Sequence, residues 1–144
     1  EAEIYEKDYI FEIGKGVVMR EGRDITLISL GTVVKDVLDV AEALDKEGIN
    51  TRVINMHTVK PIDRELIMQA IDETGRIVTI EDHNIIGGLG SAVAEVIAEY
   101  GKGVTFKQMG LHNFSEGYGT YQQVKANNGI DVPCIYNAVK KIMD

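Results

Sequence analysis

The chain has no tryptophan, two prolines and one cysteine in 144 residues. A single cysteine, Cys134, excludes an internal disulfide. No apolar run approaches the roughly 20 residues of a membrane-spanning helix. The opening EAEIYEKDY lacks a basic-then-apolar leader pattern, so the expectation is a cytoplasmic protein with no membrane partner. Basic residues are also in deficit. Fifteen Lys and Arg stand against 23 Asp and Glu, a net charge of −8, which excludes a general nucleic-acid surface built from Lys and Arg against phosphates. There is no internal repeat, low-complexity tract or Walker-type GxxxxGK[ST].

What is present is ordinary for a globular chain: 44% hydrophobic and 26% charged residues. A chain of this length buries roughly two-thirds of its unfolded surface, enough for its own core, and is expected to form one domain over residues 1–144. It opens in a polar, acidic segment with no first fold element, as expected either for a chain that follows another domain or for an arbitrary boundary. Ile4, Tyr5, Tyr9, Ile10 and Phe11 are apolar enough there to pack on this domain or a neighbour.

The chain is organised around residues 76–101. Ile77–Ile80 is a β-branched apolar run, as in a strand buried on both faces. Polarity switches at Glu81, Asp82, His83 and Asn84. Gly87, Gly88 and Gly90 follow, and Ala92, Val93, Val96, Ile97 and Tyr100 then recur at helical spacing. Strand, polar tip, glycine turn and helix are half of a βαβ unit, and ligands or partners meet the carboxyl ends of such strands.

The same alternation runs along the chain. Val17–Met19 and Ile25–Leu30 read as strands, and their short connection predicts antiparallel neighbours. Thr32 is expected to cap a helix with Val33, Val34, Val37, Leu38, Ala41 and Leu44 on its buried face and Asp36 mostly elsewhere. A strand is expected over residues 49–59, then a helix capped by Asp63 and closed by Gly75. Residues 104–109 form a fourth parallel strand. Residues 110–119 are mostly loop, with FSEGYGTY a segment that either contacts a partner or folds over the sheet edge. Two helices follow, the second capped by Asp131. Strands alternating with helices define a three-layer α/β/α domain with a mostly parallel sheet and right-handed crossovers.

The motifs with chemical potential are few. Gly87-Gly88-x-Gly90 invites a dinucleotide reading, but Val93 takes the third glycine position and Lys107-Gln108-Met109 stand where the acidic residue belongs, so a tight-packing turn is preferred. Glu81, Asp82 and His83 could form a metal or acid/base cluster, with His57 and His112 at other strand ends. Neighbours on a strand point to opposite faces, however, which favours a polar rim or partner-facing tip. Cys134, beside Pro133 at a helix start where its pKa could fall, reads as a small buried filler.

Taken together, IGKGVVMREGRDITLISLGTVV, VINMHTVKPID, GRIVTIEDHNIIGGLGSAVAEVIAE, FSEG and GIDVPCIYNAVKK resemble the C-terminal domain of the transketolase family over residues 9–143. The run EDHNIIGGLGSAVAE looks most like transketolases whose two halves are separate polypeptides. The resemblance implies a five-stranded mixed sheet with one antiparallel strand. It also implies thiamine diphosphate and Mg²⁺ chemistry in the complete enzyme, namely two-carbon ketol transfer between sugar phosphates in pentose phosphate metabolism.

In that family the cofactor, metal and catalytic glutamate belong to an N-terminal and a middle domain. No residue here matches their motifs, so no catalytic, cofactor-binding or metal residue is assigned. The implied partners are those thiamine-binding and middle domains, on the same or a separate polypeptide, in a homodimer or heterotetramer. The expected role is structural, with Glu81, Asp82, His83, Asn84, Gly87, Gly88 and Gly90 as candidate inter-domain or dimer contacts. Two other assignments stay open: the same domain of a 2-oxo acid dehydrogenase β subunit or deoxyxylulose-phosphate synthase, and a stand-alone interaction module.

Overall fold

A computed structural model describes residues 3–5, 9–114 and 118–144. Five strands form one sheet in the order β1-β3-β2-β4-β5. They are β1 (Val17–Arg20), β2 (Ile25–Ser29), β3 (Thr51–Asn55), β4 (Arg76–Asn84) and β5 (Thr105–Leu111). β2, β3, β4 and β5 run parallel, and β1 alone is antiparallel. Helices α1 (Val34–Asp45) and α5 (Val132–Met143) pack together, with α2 (Arg64–Thr74) and α3 (Leu89–Tyr100) forming a second pair. A short α4 (Tyr121–Asn127) precedes α5.

Period-two alternation divides the core into two faces. Ile25, Leu27, Val53, Val78 and Ile80 meet Val37, Val40, Ala41 and Leu44 of α1 and Ile135 and Val139 of α5. Ile28, Ile54, Met56 and Ile77 meet Ile67, Ala70 and Ile71 of α2 and Val93 and Val96 of α3. Every residue of β2 and β3 is buried, as a parallel sheet covered on both faces requires.

Two local expectations are corrected. β1 pairs with β3, not with β2, because β2 already has parallel partners on both sides. The connection reaches the far side of β3 by passing over its start, where Arg23 and Asp24 donate their N–H groups to the Asn50 carbonyl. Gly22 permits this crossing, since a Cβ there would collide with the backbone of Thr51 and Arg52. Thr32 does not cap α1. Residues 31–33 form a single 3₁₀ turn, and α1 starts without a side-chain cap.

The other caps follow the sequence. Asp63 accepts from Leu66 N–H at 3.2 Å, and Asp131 accepts from Cys134 N–H at 3.0 Å. Gly75 and Gly101 close α2 and α3 in the left-handed region. β3 is shorter than the expected run of residues 49–59, and β4 is longer, carrying the polar tip to Asn84 within the strand. In the FSEGYGTY segment, Ser115, Glu116 and Gly117 lie outside the described residues.

Candidate functional site

The chain leaves β2 through α1 to β3 on one side and returns through α2 to β4 on the other. The carboxyl ends of β2 and β4 therefore face a topological switch point, where the connections diverge and leave a crevice. Its volume is about 530 Å³. Residues 30–32 line one wall, and Glu81, Asp82, His83 and residues 87–89 line the other.

Glu81 builds the crevice floor. It points to the α3 side of the sheet and is buried at 2% exposure. Its Oε2 accepts the Leu89 N–H at 2.8 Å and its Oε1 accepts the Gly90 N–H at 3.0 Å. The carboxylate thus satisfies the positive N-terminal end of α3 from within the chain.

The glycines are shaped around that carboxylate. A Cβ on Gly88 would lie 2.8 Å from Glu81 Cδ and closer still to Oε2, while one on Gly90 would meet Thr79 Oγ1 at 2.8 Å and Gln108 Cγ at 2.9 Å. Gly87 adopts φ +79° and donates to Ser91 Oγ at 2.8 Å. Asn84 Oδ1 accepts from Ile86 N–H at 2.9 Å, closing an Asx turn. The glycine run is a tight-packing turn, and the backbone donors that a pyrophosphate would use are taken by Glu81.

Asp82 and His83 are exposed, and Asp82 points to the opposite face of the strand from Glu81. His83 Nδ1 donates to the Asn84 carbonyl at 2.8 Å and stands 3.8 Å from Glu81 Oε2. His57 packs under Phe11, with ring centroids 4.4 Å apart, and His112 lines a different cleft. Among the described residues no three His, Cys, Asp or Glu side chains are grouped to hold a metal. The candidate contact set therefore divides. Glu81 and Gly90 are buried within this chain and, with Gly88, shape the turn, whereas Asp82, His83 and Gly87 face outward.

The structure adds a network that sequence reasoning missed. Asp82 Oδ2 accepts the Tyr121 hydroxyl at 2.8 Å. Because that proton is committed, the Thr32 hydroxyl donates to the Tyr121 oxygen at 2.5 Å. Lys125 lies with its ammonium 4.6 Å from the Tyr121 ring centroid and forms a buried ion pair with Asp36. Burial raises the Tyr121 pKa most; the hydrogen bond from Thr32 opposes the rise, and the bond to Asp82 adds to it.

These groups tie α4 to the start of α1 and the tip of β4, beside a second cavity of about 740 Å³ that shares Gly31 and Thr32 with the crevice. One signal was available in the sequence. Asp36 is buried, contrary to the expectation that it lies off the packed face, because it falls at i+3 in the series Val33, Asp36, Val37, Val40, on the apolar stripe of α1.

Fold and site together define an α/β domain whose switch-point turn is capped by its own glutamate. Residues 14–135 match the model of the transketolase C-terminal domain, and the chain belongs to that family. It is 38% identical over 136 residues to one of the subunits of an apulose-4-phosphate transketolase from Actinobacillus succinogenes, covering 92% of this chain and 43% of that protein. It is 39% identical over 139 residues to a putative transketolase C-terminal section of Methanocaldococcus jannaschii, covering 96% and 42%.

Against the 1-deoxy-D-xylulose-5-phosphate synthase 1 of Geobacter sulfurreducens the identity is 39% over 132 residues, covering 91% and 21%. Among solved structures, a split-gene transketolase described as an inactive β4 tetramer superposes with a TM-score of 0.92 at 39% identity, covering 99% of this chain and 46% of that one. The chain spans less than half the length of these relatives. Among the described residues, no helix is long and apolar enough to cross a membrane.

Proposed function

We propose that the chain is the C-terminal part of a thiamine-diphosphate-dependent transketolase, serving assembly rather than chemistry. One observation carries the assembly role. Large exposed apolar side chains concentrate at the carboxyl edge of the sheet: Ile10 at 86% exposure, Phe11 at 59%, Ile13 at 71%, Ile86 at 79% and Phe114 at 97%. Residues 10–13 belong to that edge because β1 is antiparallel and Val17 pairs with Asn55, the last residue of β3. Ile86 and Phe114 follow the ends of β4 and β5. Apolar groups gathered this way mark a surface that another protein segment covers.

The surface fits the thiamine-binding and middle domains, with Asp82, His83, Asn84 and Gly87 at its polar rim. Glu81, Gly88 and Gly90 hold that rim in shape. Polar atoms buried nearby support the reading. Ser29 Oγ, Asn55 Oδ1 and His57 Nε2, at the ends of β2 and β3, lack hydrogen-bond partners among the described residues.

Thiamine diphosphate does not fit the residues present here. The helix terminus that would take its diphosphate is filled by Glu81, and the carboxylates needed for Mg²⁺ are not grouped among the described residues. The cofactor is accordingly assigned to the rest of the complete enzyme, which would be cytoplasmic and either homodimeric or heterotetrameric.

The test is activity of the complete protein with thiamine diphosphate and Mg²⁺. Ketol transfer from a ketose phosphate to an aldose phosphate is expected, and none from the chain alone. Turnover by the chain alone would overturn the assignment. Formation of 1-deoxy-D-xylulose 5-phosphate in place of ketol transfer would favour the deoxyxylulose-phosphate synthase alternative, which the G. sulfurreducens relative motivates.

A further inference from the structure

Along the sheet edge, β5 and α5 enclose a cleft of about 460 Å³, a size suited to a small molecule. Its charge runs opposite to that of the chain. Lys107, His112 and Lys141 line it together with the Asn137 amide, and among the described residues no Asp or Glu lines it. This occurs in a chain with 23 acidic and 15 basic residues. The lysines themselves are unusual. Lys15, Lys35, Lys46, Lys102, Lys125 and Lys140 each hold a carboxylate. Among the described lysines only Lys60, Lys107 and Lys141 hold none, and two of these three share this cleft.

A second feature converges on the same place. β5 is an edge strand, so alternate backbone N–H groups face outward without a partner strand. Four consecutive β5 residues, 107–110, line the cleft, which places strand backbone in its wall. Each lysine taken alone has a structural use: Lys107 guards a strand edge, and Lys141 suits the carboxyl end of α5. Neither use requires the two to line one cleft beside outward backbone donors.

We propose that this cleft binds a phosphate group, free or carried on a small molecule, between Lys107 and Lys141, with His112 and the β5 edge completing the donor set. The cleft also contains a built-in reporter, because Cys134 is one of its lining residues. Asp131 accepts the Cys134 backbone N–H and its thiol hydrogen, and so belongs to the α5 cap.

The experiment titrates the protein with inorganic phosphate and, separately, glycerol 3-phosphate. Binding is followed by calorimetry, and the alkylation rate of Cys134 by peptide mass spectrometry. Dissociation constants at or below about 1 mM are expected, with slower alkylation of Cys134 on binding. Lys107→Gln and Lys141→Gln should each weaken binding about tenfold, the scale of one hydrogen bond to a charged group. Both side chains are exposed, so folding checked by circular dichroism should not change. Binding of both probes assigns recognition to the phosphate alone, and binding of the ester alone assigns it to a carried phosphate. The proposal is overturned by no binding at about 10 mM of either probe, or by binding that the double substitution leaves intact. Protection of Cys134 that follows protein concentration instead of phosphate would also overturn it, because the occupant would then be a second copy of this chain.

Discussion

Replacing Gly88 by alanine tests the self-capped turn most sharply. Gly88 has φ −96° and ψ −153°, an extended conformation open to alanine, so the substitution carries no left-handed strain. Its cost comes from contact alone. The new methyl would stand 2.8 Å from Glu81 Cδ, forcing the carboxylate away from the Leu89 and Gly90 N–H groups. Loss of a helix cap costs about 1–2 kcal/mol. A hydrogen bond to a charged group is worth about 1.5–3 kcal/mol, and a displaced carboxylate regains part of that from water in the adjoining crevice. The expected destabilisation is therefore about 2–4 kcal/mol, read as a fall in the urea midpoint by circular dichroism. Glu81→Ala should cost a similar amount. The informative result is the double variant. With the carboxylate gone, the two nearest atoms to the methyl at residue 88 are removed and the Asn84 carbonyl, at 3.0 Å, remains, so Gly88→Ala should add less than about 1 kcal/mol on top of Glu81→Ala. Additive costs, summing to roughly twice either single value, would refute the claim that Gly88 exists to admit the Glu81 side chain.

Lys125→Ala leaves Asp36 buried without its counter-charge and should cost about 3–5 kcal/mol by the same assay, whereas replacing both partners with leucine and methionine should recover most of that. Tyr121 has its pKa raised above 10.0 on folding, chiefly by burial, so the folded state holds the proton more tightly than the unfolded chain. The associated stability is complete below the unfolded pKa and is lost as pH rises through the folded one. Tyr121→Phe should flatten the alkaline limb of the stability–pH curve, and an unchanged limb would contradict this. The Cys134 thiol is held above its usual pKa, first by its hydrogen bond to Asp131 and then by burial. Asp131→Asn keeps an oxygen for the helix cap and removes the charge, so alkylation of Cys134 at pH 8 should accelerate, measured by mass spectrometry.

Layer order, element type and most helix ends could be read from the chain because they depend on local physics. Alternating apolar runs marked β2, β3 and β4, while Asp63, Gly75, Gly101 and Asp131 marked helix ends by their own backbone chemistry. The polar tip and glycine turn of residues 81–90 were visible, but not their internal purpose. Strand alternation separates Glu81 from Asp82 correctly, yet only the three-dimensional return of α3 shows that its own backbone donors meet Glu81. The position of β1 was misread for a comparable reason. A short connection limits how far a strand can travel, not which neighbour it joins, and β2 had both edges taken by crossovers formed later in the chain. The Asp36–Lys125–Tyr121–Asp82 network joins residues up to 89 positions apart, and no local pattern encodes such a pairing. The thiol of Cys134 went the opposite way from expectation because the residue capping its helix is an acid that accepts its proton.

The most direct measurement concerns the apolar carboxyl edge. Native mass spectrometry of the complete protein should show Ile86→Lys and Phe114→Lys weakening its assembly, because each places a charge where the account puts a covered apolar contact, while the exposed Val18→Lys on β1 should not. Unchanged assembly in Ile86→Lys and Phe114→Lys, with the chain still folded, would contradict the central claim that this edge is where the rest of the enzyme docks.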